Sequence, residues 1–92
     1  MKGGFVLKKY IISYDLNKSG KNYDGLINAI EKYNCIKILY STWIIKSSSS
    51  AQNIFDNLKP QIDDDDKLII VEINTNNEQG WLNKNQWNWI ND

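Results

Sequence analysis

The chain has 92 residues, 41 % of them hydrophobic, with four tryptophans and five tyrosines. That is enough apolar surface for one small domain and too little chain for two, since domains of roughly 100 to 150 residues are the commonest size. Eleven lysines balance eleven acids, with no arginine and no histidine; this argues against a sequence-independent grip on duplex nucleic acid and leaves any catalysis to carboxylates, hydroxyls, lysine, tyrosine or a single thiol.

The first element in the chain is an apolar run within 5–16, densest from Tyr10 to Tyr14. Its character predicts a strand buried in the middle of a sheet. The run ends in Asp15 and then breaks into Asn17-Lys18-Ser19-Gly20-Lys21-Asn22, a polar loop. Asp15 is thereby placed at a sheet edge on a rigid element. One reading makes it a Mg²⁺ ligand and the other makes it a loop cap that accepts backbone N–H bonds. The loop combines lysines, a hydroxyl and amides around a glycine that permits close backbone approach, so Asn17, Lys18, Ser19, Gly20 and Lys21 are candidate phosphate contacts. It lacks the spacing of a P-loop.

Tyr23, Leu26, Ile27 and Ile30 fall at i, i+3, i+4 and i+7 and predict a helix from about Tyr23 to Tyr33, with Gly25 as a mild cost. From Cys35 to Ser47, Ile36, Ile38 and Tyr40 share one parity and Trp43 and Ile45 the other. The change near Ser41 predicts a bulge or a turn between two short strands. Tyr40, Ser41, Thr42 and Trp43 form a candidate face for a base or sugar, where a stacked base is worth roughly 1 to 3 kcal/mol. The alternative for Trp43 is a place in the core. Cys35, beside apolar neighbours and without a histidine to activate it, is read as buried and inert.

Ser50 offers an N-cap for a second helix through Ile54, Phe55, Leu58 and Ile62, with Pro60 marking a kink or its end. Asp63-Asp64-Asp65-Asp66 follows and, with Lys67, spells an enteropeptidase cleavage sequence. Consecutive carboxylates point in different directions, so the run is read as a solvated connection rather than a metal loop. Leu68 to Ile73 predicts another apolar strand. Beyond a polar stretch to Gly80, Trp81, Lys84, Trp87 and Ile90 predict a short terminal helix or docking arm over 81–92. Trp81, Trp87, Trp89 and Ile90 are candidate interface residues that anchor either this arm on the body or a partner subunit, because aromatic anchors dominate interface energetics.

The order βαββαβ over a single domain, 1–92, specifies an α+β, ferredoxin-like sandwich in which two helices cover one face of an antiparallel sheet. A lone cysteine, the lack of a signal-peptide pattern and the lack of an apolar run near 20 residues predict a cytoplasmic protein without a membrane span. Richness in Ile, Asn and Lys points to an AT-rich genome, bacterial or phage.

With that order, and with Ile12-Ser13-Tyr14-Asp15-Leu16-Asn17-Lys18-Ser19-Gly20, Ser41-Thr42-Trp43-Ile44-Ile45 and Gly80-Trp81-Leu82, the chain resembles the SinR-like family. That group is related to the second CRISPR-associated adaptation protein. The resemblance implies a ferredoxin-fold homodimer, nuclease or nuclease-like scaffold, in phage or bacterial defence. It implies that Asp15 matches the family acid associated with a divalent metal, and that Ser41 and Thr42 partly match a following Ser or Thr. The arginine-rich DNA surface of many relatives has no counterpart here. Three readings stand at this point: a non-catalytic nucleotide or short nucleic-acid binding protein, a Mg²⁺-dependent homodimeric endonuclease using Asp15, and a protein-interaction module.

Overall fold

A computed structural model describes residues 6–17 and 23–92. The elements are β1 (Lys8–Asp15), α1 (Asp24–Glu31), β2 (Asn34–Leu39), β3 (Thr42–Ser47), α2 (Ala51–Leu58), β4 (Lys67–Ile73) and α3 (Lys84–Asn91). The strands form one antiparallel sheet in the order β2-β3-β1-β4, and the fold is α+β.

Alternation along the strands divides the sheet into two faces. On the first, Tyr10 and Ile12 of β1 and Trp43 and Ile45 of β3 pack with Leu26 and Ile30 of α1 and Ile54 and Leu58 of α2. This is the main core, and six of these eight side chains are aliphatic residues wholly removed from water or nearly so. Trp43 lies across from Ile12 in the β1–β3 register. Its indole N–H donates to the Tyr14 hydroxyl at 3.1 Å, which satisfies the polar atom of a largely buried ring. Tyr10 likewise donates its hydroxyl proton to the Ser49 carbonyl at 2.7 Å.

The helices are shorter than their apolar stripes predict. In α1, the Tyr33 N–H turns back to the Ile30 carbonyl at 3.0 Å, a tightened last turn that ends the helix two residues before Tyr33. Ser50 caps α2 as expected, its Oγ accepting the Asn53 N–H at 3.1 Å. Pro60 lies in a 3₁₀ turn (Lys59–Gln61), after which Ile62 is already extended. The parity change near Ser41 is a turn, with Tyr40 and Ser41 joining β2 to β3, and a separate irregularity falls between Lys37 and Leu39.

The terminal segment docks as α3 on the second face of the sheet. Ile11, Ile38, Ile44 and Ile73 line a shared cavity with Leu82, Trp87 and Ile90 there. Asn83 and Gln86 form a reciprocal capping box at its start. Gln86 also donates to the Lys37 carbonyl at 3.0 Å, tying the helix to β2. At its other end α3 has no basic residue of its own. Cations arrive instead from the sheet: Lys9 donates to the Ile90 carbonyl and Lys46 to the Trp89 carbonyl at 2.7 Å. Both sit where the helix dipole is negative. Lys46 also lies 4.2 Å above the Trp89 ring, a cation–π contact that adds to the docking.

Candidate functional site

The sequence candidates divide among three places. The first is the end of the sheet where β1 finishes and β4 begins. Asp15 is exposed and stands opposite Lys67 in the β1–β4 register. Lys18, Ser19, Gly20 and Lys21 lie outside the described residues. Of the candidate loop only Asn17 is described, and it is held by acids: its N–H donates to Asp66 at 2.8 Å and its side-chain amide to Asp65 at 3.1 Å.

Asp66 is the organiser of this end. It is only 8 % exposed, and its carboxylate accepts from the Asn17 N–H, from the Tyr23 hydroxyl at 2.9 Å and from the Asp63 N–H at 2.8 Å. The expectation of a uniformly solvated acidic connection is therefore corrected. Asp64 and Asp65 are exposed, but Asp66 is a buried acceptor that fastens the β1–α1 connection to the start of β4. Such a carboxylate is stable in the interior because donors replace its water.

Asp63, Asp65 and Asp66 each bring one oxygen within 4.8 Å of the others. Asp15 is not in that group, so among the described residues it gains no cluster of acids with which to share an ion. Hard divalent cations take six or more oxygens. Here the Asp66 oxygens already serve three protein donors, which compete with any cation.

The second place is the β2–β3 turn. Tyr40 is 90 % exposed and Trp43 only 6 %. The Ser41 carbonyl accepts the Tyr14 N–H at 3.1 Å. The Thr42 hydroxyl pairs with that of Ser13 at 3.0 Å on the second face of the sheet, opposite to the face that buries Trp43. Thr42 thus faces away from Trp43, whose indole is largely buried in the core, although the Lys37 ammonium lies 5.9 Å from the Trp43 ring. Lys37 extends its ammonium to 5.3 Å from the Tyr40 ring.

The third place is the terminal segment. Ile90, a candidate interface residue, is 3 % exposed and buried against the chain's own sheet. Trp87 lines the cavity beneath α3, and Trp89 carries Lys46. Trp81 alone among the four tryptophans is fully exposed.

Sequence reasoning passed over the outer half of β4. Ile69 is 59 % exposed and Val71 44 %, and both project onto the second face, opposite Ser13 and Ile11. The signal was present in the sequence: Leu68-Ile69-Ile70-Val71 is apolar at both parities, the pattern of a strand covered on both faces. Cys35 is free, and burial pushes its thiol pKa up, with the Glu31 carboxylate adding to the shift. A thiol so held has little thiolate at neutral pH and is a poor nucleophile.

No protein-family model matches the chain, and comparison with curated proteins finds no match. No helix among the described residues is long and apolar enough to cross a membrane.

Proposed function

We propose that the chain is a ferredoxin-like, non-catalytic interaction module that forms a homodimer through β4. The element order and the strand order β2-β3-β1-β4 support the ferredoxin-like reading. The observation that carries the proposal is the state of β4. It is an edge strand among the described residues, and its exposed Ile69 and Val71 are apolar where solvent would favour polar side chains. Natural edges are blunted by proline, bulges or central charges. This strand has none, and its only charges, Lys67 and Glu72, stand toward its ends.

A second copy is the occupant that fits. Antiparallel pairing about Ile70 sets Ile69 opposite the partner's Val71 on one face and joins two sheets into eight strands. The zero net charge opposes no such approach. In this dimer the two Asp15 carboxylates stand about 25 Å apart, from three strand spacings and six residue rises. They do not share an ion. The β4 dimer thus separates the interaction module from the Mg²⁺-dependent endonuclease. Nucleotide or short nucleic-acid binding loses the support of Trp43, which is in the core. A SinR-like kinship rests on the sequence words alone.

Light scattering on purified protein tests the reading. Wild type is expected to be dimeric, and Ile69→Lys to weaken the dimer roughly thirtyfold or more, the effect of losing an interface hot spot. Asp15→Asn should leave the mass unchanged. A monomeric wild type, or a dimer that tolerates Ile69→Lys but needs Asp15 and Mg²⁺, would overturn it.

A further inference from the structure

We infer that the cavity between α3 and the second face of the sheet is a binding site for a small organic ammonium ion, with Glu78 as its anionic contact. The cavity has a volume of about 240 Å³, and its walls include Ile11, Ile44, Leu82, Ile90, the Trp87 ring and Glu78. Both carboxylate oxygens of Glu78 are removed from solvent and have no hydrogen-bond partner. A buried acid without a donor is costly, and native proteins seldom leave one so. Lys9 reaches this wall, but its ammonium donates to the Thr75 hydroxyl at 3.2 Å and to the Ile90 carbonyl rather than to Glu78.

The lining selects the chemistry of the occupant. One carboxylate, with Asn74, Thr75 and Gln79 as the other polar side chains of the lining, falls short of the six or more oxygens that Mg²⁺ or Ca²⁺ take. An alkylammonium supplies three N–H donors to the two orphaned oxygens and places its chain against isoleucine and leucine. Trp87 lines the same cavity, and an indole presented to a cation adds attraction through its electron-rich face. The volume lies below the 300 to 1,000 Å³ usual for drug-sized ligands, which restricts the ligand to an amine of a few carbons. That chemistry is shared by a free amine and by a lysine side chain. The site takes Ile73 from the end of β4 but neither Ile69 nor Val71.

Calorimetric titration of the full chain with n-butylammonium chloride, and separately with n-butanol, tests the assignment. The ammonium is expected to bind saturably and roughly tenfold or more tightly than the alcohol, as one charge-assisted hydrogen bond implies. Glu78→Gln should weaken ammonium binding by a similar factor, while thermal unfolding checks that it remains folded. Leu82→Trp, which fills the cavity and keeps the acid, should abolish binding. Nα-acetyl-lysine methylamide distinguishes the sources: binding of both ammonium probes assigns the site to lysine side chains as well, and binding of butylammonium alone assigns it to free amines. Failure of both ammonium probes to bind, equal binding of the alcohol, or unchanged affinity in Glu78→Gln would overturn the inference.

Discussion

Trp43→Ala is expected to lower stability by about 3 to 5 kcal/mol in urea denaturation. The ring is 6 % exposed and packs with Ile12, Ile45 and the two core helices. Truncation removes the largest side chain of that core and leaves a void, while the Tyr14 hydroxyl loses the indole donor it accepts from at 3.1 Å. Domains of this size are stable by only about 5 to 15 kcal/mol, so the loss is a large share of the total. Trp43→Phe fills most of the space and isolates the hydrogen bond, for about 1 kcal/mol from that bond. A negligible effect of Trp43→Ala would place the ring at the surface. It would also restore the stacking role that nucleotide binding requires.

Asp66→Ala follows, with an expected loss of about 3 kcal/mol. Three donors from three parts of the chain, the Asn17 N–H, the Tyr23 hydroxyl and the Asp63 N–H, converge on its carboxylate. Removal leaves them without that acceptor in a site where Asp66 itself is 8 % exposed. Its neighbour Asp64 is exposed, and Asp64→Ala is expected to change stability by no more than about 0.5 kcal/mol. Parallel urea titrations of the two variants provide the contrast. Equal effects would mean that the four acids form one solvated run after all.

What the sequence reveals of this fold follows the range over which its forces act. β1 and β4 are legible because their apolar runs are local, and α1 and α2 because Leu26 and Ile30, or Ile54 and Leu58, repeat at helical spacing. Ser50 is legible because a cap acts within three residues of itself. Trp43 and Ile45 share a parity, and the structure places both on the core side.

The anchoring of α3 is not legible in the same way. Lys9 meets a carbonyl 81 residues away and Lys46 one 43 residues away, and no local pattern encodes such pairings. Asp66 is hidden among three like residues, since the partners Asn17 and Tyr23 that help to distinguish it from Asp64 are distant in sequence. Ile90 reads equally as an anchor on its own body or as an interface residue, because an amphipathic terminal helix has the same stripe whether it covers its own sheet or another chain. Glu78, in a polar stretch between β4 and α3, carries no sign in the sequence that its oxygens are shielded.

Amide hydrogen exchange along β4, recorded at low and high protein concentration, tests the proposed dimer most directly. Roughly half of the strand's N–H groups face β1 and the others point outward from the edge. β4 pairing predicts that the outward amides near Ile70 exchange rapidly in dilute protein and become protected as concentration rises, in step with the mass by light scattering. Outward amides that exchange rapidly at every concentration, while the protein is dimeric by mass, would contradict the β4 pairing and require the second copy to bind elsewhere.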